Sequence, residues 1–373
     1  MSTPLRIALI RQTYRPDGGA ERFVARALDT LAGRGVEVTL FARRWQPQPG
    51  IHFELCNPPA LGRLTRDWGF ARAICSKLKR CKFDLVQSHE RLACCDVYRA
   101  GDGVHRAWLE RRSGGRISWG DRLSPYHNYV LRTERAMFES PRLRAVICNS
   151  EMVKAEILSN YAIDPAKLYV IYNGVDLEVF HPRHQENRAE SLRALDIPDG
   201  VPVFLFVGSG FERKGLSSVL RAMAQLPEPA WLIVVGKDKY AARYRKLAEE
   251  LGVAARIHWA GAVTDPAAWY GLGHALVLPT VYDPFPNVVP EAMASGLPVI
   301  TSSSCGGAEM IKEDINGFVI EHDDIPGLAR AMSGVMDLAR AREMGKASRE
   351  AISVHSLVAM AKKLQELYAQ LLA

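Results

Sequence analysis

The chain has 373 residues with a net charge of +7, and is 48% hydrophobic and 24% charged. That length exceeds one comfortable core and suits two domains, and the composition excludes a disordered or collagen-like chain. No window approaches the roughly 18 apolar residues of a spanning helix, and the apolar run 7–10 is far short of a signal-peptide core, so a cytoplasmic protein is expected.

The seven cysteines, Cys56, Cys75, Cys81, Cys94, Cys95, Cys148 and Cys305, include no Cys-x-x-Cys pair and fall mostly in apolar stretches. They read as buried reduced thiols rather than metal ligands or disulfides. Positive charge is concentrated: residues 61–144 hold 18 Lys/Arg against 9 Asp/Glu. A local surplus of this kind implies an anionic partner, whether nucleic acid, anionic lipid or a phosphorylated substrate.

Taken in chain order, short β-branched apolar runs at 6–10, 36–41, 83–87, 145–149 and 168–172 predict strands with amphipathic segments between them. A strand-like run also precedes Gly101. Further runs follow at 203–207, 232–235, 256–259, 275–278, 298–301 and 318–320. Continuously apolar strands alternating with helices imply parallel sheets covered on both faces, an α/β doubly wound arrangement. Between 173 and 199 the pattern lapses into turn residues and a polar run, 183–193, readable as one exposed helix. The domain boundary is therefore expected near 180, giving domains 1–180 and 181–354. Leu357, Met360, Leu364, Leu367, Tyr368 and Leu371 share one helical face, within a C-terminal helix expected over 355–373.

Three constellations could carry chemistry. Gly18 and Gly19 stand between the first strand and its helix, where paired glycines permit either a tight turn or close approach to an anion. Gly208-Ser209-Gly210-Phe211-Glu212-Arg213-Lys214-Gly215 occupies the equivalent turn of the second half. Arg213 replaces the third glycine of a dinucleotide fingerprint, while Arg213 and Lys214 at a helix start suit a diphosphate or are a solvated pair. Asp283 and Glu291, eight residues apart, flank a helix start at 286–288 whose backbone donors suit a phosphate or sugar.

Together, Gly18-Gly19, Arg213-Lys214 and Asp283 with Glu291, followed by Ala292-Met293-Ala294-Ser295-Gly296-Leu297-Pro298, resemble the donor site of family 4 retaining glycosyltransferases. Within that family, Arg213-Lys214-Gly215, Val234-Val235-Gly236-Lys237-Asp238-Lys239 and Asp96-Val97-Tyr98 followed by Asp102 resemble the lipopolysaccharide core glucosyltransferases. The resemblance implies a GT-B fold, two Rossmann-like domains facing a central cleft, with the last helix returning to the first domain. It implies an acceptor-binding N-terminal domain and a C-terminal domain that binds a nucleotide sugar, expected to be UDP-glucose. Gly18, Gly19, Gly208, Arg213, Lys214, Asn287, Val288 and Glu291 would contact the donor, with Glu291 on the ribose and Asp283 on the sugar. The sequence departs from the family pattern in Asp283, where Glu is usual, and Pro286, where Gly is usual. Proline removes one backbone donor and leaves those of Asn287 and Val288.

As the glycosidic bond breaks, charge grows on the departing diphosphate, and fixed cations there lower the barrier. Arg213 and Lys214 take that role. No Asp-x-Asp motif occurs in the chain, so neither a metal nor another cofactor is expected. On the acceptor side Asp102 is the preferred residue to orient or deprotonate the hydroxyl, with His105 and His89 as further candidates. Residues 105–135 interleave arginines with Trp108, Trp119, Tyr126 and Tyr129, which predicts peripheral docking on an anionic membrane carrying a phosphorylated glycolipid acceptor, with no role for nucleic acid. The alternatives are a nucleotide-sugar 2-epimerase on the same fold and a non-catalytic nucleotide-binding protein.

Overall fold

The computed structural model describes residues 5–13, 36–44, 52–227 and 230–372. It divides into unit 1, Met1–Asn173 with Leu357–Ala373, and unit 2, Gly174–Ser356.

Unit 1 is built on strands β1 (Leu5–Ile10), β2 (Val36–Ala42), β3 (His52–Leu55), β4 (Leu85–Ser88), β5 (Val97–Ala100), β6 (Ala145–Cys148) and β7 (Leu168–Val170). They form one parallel sheet in the order β3-β2-β1-β4-β5-β6-β7. The order reverses between β1 and β4, which pair directly from Ile7 opposite Leu85 to Ile10 opposite Ser88. Branched and aliphatic side chains on both faces explain why these strands read as unbroken apolar runs. The helix Leu357–Leu372 lays Met360, Leu364, Leu367, Tyr368 and Leu371 into the same core as Ile7, Leu9, Leu85 and Val97. Each such side chain contributes roughly 1.5–3 kcal/mol of gross transfer free energy. The Tyr368 hydroxyl also donates to Gln87 within that core.

Unit 2 carries β8 (Val203–Val207), β9 (Trp231–Val235), β10 (Ile257–Gly261), β11 (Ala275–Leu278), β12 (Val299–Ser302) and β13 (Gly317–Ile320). Their order is β10-β9-β8-β11-β12-β13, again parallel, and reverses between β8 and β11.

Every strand expected from an apolar run is present. The short edge strand β3 was not anticipated, because its sequence His-Phe-Glu-Leu is half exposed and lacks an apolar run. The polar run 183–193 is two short pieces, Pro182–Gln185 and Arg188–Arg193, not one helix. Bonds from Gln185 Nε2 to the Ser295 carbonyl (2.7 Å) and from Arg188 Nε to the Gly271 carbonyl (2.8 Å) tie them to unit 2. The reading of all seven cysteines as buried thiols is corrected twice: Cys75 and Cys94 form a disulfide, and Cys81 is exposed. Folding brings the helix Arg63–Leu78 against the loop before β5, a proximity that a spacing of 19 residues does not announce. Among the described residues no helix is long and apolar enough to cross a membrane.

Candidate active site

In unit 2 the chain leaves β8 through Gly208, forms a one-turn helix Phe211–Lys214, and passes Gly215 into the helix Leu216–Met223. A Cβ on Gly208 would lie 2.5 Å from Lys214 Cε, so a glycine is needed for the lysine stem to cross the loop. Gly236 is required in turn, since its Cβ would lie 2.2 Å from the Gly208 carbonyl oxygen. Asp238 fixes the far side of the turn by accepting from the Phe211 amide at 2.9 Å. Thus the 234–239 segment that carries part of the family resemblance supports the glycine loop.

Arg213 and Lys214 converge on one carboxylate oxygen. Asp283 Oδ2 lies 2.6 Å from Arg213 Nη1 and 3.3 Å from Lys214 Nζ. Lys214 is buried, at 7% exposure, whereas the Arg213 side chain remains 41% exposed. The Arg213 carbonyl accepts from the Val281 amide and the Thr280 hydroxyl, both at 2.8 Å, which pins the short helix to the loop after β11. Asp283 is held in place by its own backbone, which donates to the Ser304 carbonyl and accepts from the Gly306 amide. Burial pushes its carboxyl up, but Lys214 and Arg213 outweigh this and hold it below the usual carboxylate range.

The expected placement of the cations at the start of the long helix is therefore corrected: they end a separate turn. Gly215 separates the two helices in the left-handed region, φ 79°, with no room for a Cβ beside the Pro279 carbonyl oxygen at 2.0 Å. The positive charge here sits on the side chains, which Asp283 draws together.

Glu291 is buried on the helix Val288–Ala294 and accepts from the Tyr270 hydroxyl at 3.0 Å. Asn287 immediately precedes that helix and Val288 is its first residue. Tyr270 was not anticipated; it lies in a different helix, Pro266–Tyr270, and only folding brings it beneath the acidic residue.

In unit 1 a cavity of about 690 Å³ opens at the carboxyl ends of β1, β2, β4 and β5. Asp102 lines it with a side chain 58% exposed, 4.0 Å from Arg11 Nη1. Glu90 lines it too, bound through the Gln12 amide (2.9 Å) and side chain (3.3 Å). Burial raises the Glu90 carboxyl above its ordinary value, with Arg11 opposing. His89 and His105 do not line the cavity. His89 is buried beside Gln87, and burial holds it neutral. His105 meets His127 at 3.1 Å, and burial with Arg91 lowers its pKa to about 3. Gly18 and Gly19 lie outside the described residues.

Over 105–135 the structure separates packed from exposed groups. Trp108 packs against His105 and under Arg112, and Arg111 and Arg112 pair with Glu156 and Asp121. Trp119 (79% exposed), Leu123, Arg116 and Arg122 face outward.

Two parallel Rossmann-like sheets, a cation-bearing glycine loop after the first strand of the second, and a buried acidic pair define the GT-B class of group-transfer proteins. A model of Glycosyltransferase Family 4 matches residues 17–179, and one of Glycosyl transferases group 1 matches 187–351. The chain belongs to this glycosyltransferase family. It is 27% identical over 321 residues to the lipopolysaccharide glucosyltransferase WaaG of Escherichia coli, covering 84% of each chain. It is 26% identical to the lipopolysaccharide core biosynthesis glycosyltransferase LpsE of Rhizobium meliloti, covering 94% of this chain and 98% of that one. The crystal structure of WaaG superposes with a TM-score of 0.85 at 22% identity, over 97% of this chain and 99% of that one. Anabaena HepE, solved with UDP and glucose, gives 0.76 at 19% identity, over 98% and 99%.

Proposed function

We propose that this glycosyltransferase is a retaining hexosyltransferase that moves glucose from UDP-glucose to a lipopolysaccharide-core-type acceptor, without a metal. The observation that carries the reading is the convergence of Arg213 and Lys214 on Asp283 beside a loop that only glycine at 208 permits. In the resting protein the carboxylate keeps two cations close together; a diphosphate offers them more oxygens at the moment charge develops. The glycosidic C–O bond to the diphosphate breaks, a C–O bond to the acceptor oxygen forms, and the negative charge collects where Arg213 and Lys214 stand. Glu291, oriented by Tyr270, accepts from the ribose, and the amides of Asn287 and Val288 face the donor. Asp102 is the acceptor-side group that orients the hydroxyl and takes its proton.

The donor is supported by HepE, solved with UDP and glucose, and the acceptor class by WaaG and LpsE. Among the described residues no group of three or more His, Cys, Asp or Glu side chains gathers to hold a metal ion. The protein works from the cytoplasm, attached peripherally to an anionic membrane surface through the exposed Trp119, Arg116 and Arg122.

Arg213→Ala and Lys214→Ala should each fold yet lose about 100-fold in turnover, the loss typical of one oxyanion donor. Turnover is read as nucleoside diphosphate released from the sugar nucleotide; near wild-type rates in both variants would remove the assignment.

A further inference from the structure

The disulfide between Cys75 and Cys94 joins two parts of unit 1 that are held unequally. Cys94 sits in a loop tied both to β4 and to the start of β6. Asp96, just beyond it, accepts from the Val86 amide (2.8 Å) and from Arg142 Nε (3.0 Å), and its carbonyl accepts from the Arg144 amide at 2.8 Å. The intervening Cys95 is buried and donates from Sγ to the Leu92 carbonyl at 3.0 Å. Burial pushes its thiol up to about 12, so it stays protonated and does not compete for a disulfide partner.

Cys75 lies on the helix Arg63–Leu78, which is loosely held by comparison. Of its 16 residues only Phe70, Ile74 and Leu78 are buried, and its N-terminus has neither a side-chain cap nor an acidic residue in the first turn. Lys77 Nζ meets Glu54 Oε2 at 2.6 Å, but both side chains are substantially exposed, and such pairs add little. Asp67 accepts from Gln12 Nε2 (3.2 Å) and the Tyr126 hydroxyl (3.3 Å), and the Arg66 carbonyl from Arg43 Nη1 (3.1 Å). An element with so few buried apolar groups opens more readily than the core, and a covalent link closing a loop of 19 residues removes much of that freedom. The same helix carries Arg63, Arg66 and Asp67, which line the unit 1 cavity.

Independently of the transferase reading, we propose that the Cys75–Cys94 bridge is a thiol–disulfide exchange site through which a dithiol reductant releases the helix Arg63–Leu78, and with it one wall of the unit 1 cavity. Both cysteines are half-buried, so a thiolate can reach a sulfur. Its attack breaks the bond between Cys75 and Cys94, forms a mixed disulfide with the reductant and expels the other cysteine as a thiolate, which takes up a proton. The reductant's second thiol then displaces the remaining cysteine sulfur and closes its own disulfide, so two electrons and two protons pass to the protein. A disulfide of the same class runs these steps in reverse and clamps the helix again. In the cytoplasmic compartment proposed above, where dithiols keep thiols reduced, the open state is the resting one and an oxidising challenge closes it.

The test is hydrogen exchange read by mass spectrometry on the full chain, after equilibration with oxidised or reduced dithiothreitol. Alkylation after denaturation counts the thiols: five are expected in the oxidised monomer and seven in the reduced one. Peptides from 63–78 should exchange at least about tenfold faster in the reduced protein, while those from β4 and β6 stay unchanged. Re-oxidation should restore the slow rate. Cys75→Ser and Cys94→Ser should each exchange at the fast rate in both buffers. Seven alkylated thiols after oxidation, a bridge that resists the dithiol until the protein is denatured, or equal exchange over 63–78 in the two states would overturn the proposal. Acceleration that spreads equally to β4 and β6 would overturn it too, by making the bridge a general stabiliser. Should either serine variant fail to fold, the two wild-type states decide alone.

Discussion

Asp283 shows how one residue can carry less and more than its motif suggests. The family resemblance assigns it to the donor sugar, yet in this structure its Oδ2 joins Arg213 and Lys214, so its first effect is to keep two like charges adjacent. Being a methylene shorter than Glu, it draws both cations close to the backbone of the loop after β11. Glu291, on the helix Val288–Ala294, accepts from the neutral hydroxyl of Tyr270. Replacing Glu291 with Gln preserves shape and the Tyr270 contact but removes the charge that strengthens a ribose hydrogen bond. The expected loss is about 1.5 kcal/mol, near tenfold in UDP affinity by calorimetry. Binding as tight as wild type would show that the ribose role is wrong. The sequence offers Arg213, Lys214, Asp283 and Glu291 as candidates through the family resemblance, their bare spacing being a weak signal, and folding brings the first three together; Tyr270 and the Gly208–Lys214 contact carry no local pattern to announce them.

At the level of elements, the turn after β8 depends on two glycines for different reasons. Gly215 faces the Pro279 carbonyl, a fixed backbone atom, and has φ 79°. Gly215→Ala should therefore destabilise unit 2 by roughly 1–3 kcal/mol, seen as a lower denaturation midpoint. Gly208 faces the flexible Lys214 side chain. Its replacement by Ala should act chiefly by displacing that ammonium, lowering turnover by about 100-fold as for Lys214→Ala, with a smaller stability loss from backbone strain at φ 137°. The reverse ranking would contradict this account of the loop. Strands were readable from sequence because burial on both faces makes them apolar throughout, while β3 at the sheet edge and the Cys75–Cys94 bridge depend on neighbours supplied by the fold. The split of the Arg213-Lys214 helix was likewise hidden, since Gly215 reads as either a helix interior or a stop.

For the whole molecule, the basic surplus over 61–144 includes three populations. Some arginines satisfy internal carboxylates, as Arg111 and Arg112 do; others line the unit 1 cavity; a few, including Arg116 and Arg122, stand with Trp119 on the surface. Of these, only the last group should govern the proposed membrane attachment. Combining Arg116→Ser, Arg122→Ser and Trp119→Ser should abolish sedimentation with anionic vesicles, each arginine contributing about 1 kcal/mol. Changing Arg111 should instead disturb its pairing with Glu156 and lower thermal stability, and an unaltered vesicle affinity in the triple variant would reduce the surface to architecture.

The claim on which the rest depends is that covalently attached cations replace a metal at the donor diphosphate. Titrating UDP-glucose into the protein in excess EDTA, with wild type and Lys214→Ala side by side, tests it most directly. Saturable binding by wild type that is unaffected by the chelator and clearly weakened in the variant is the predicted result. Binding that appears only after Mg²⁺ or Mn²⁺ is restored, or that ignores the loss of Lys214, would contradict it.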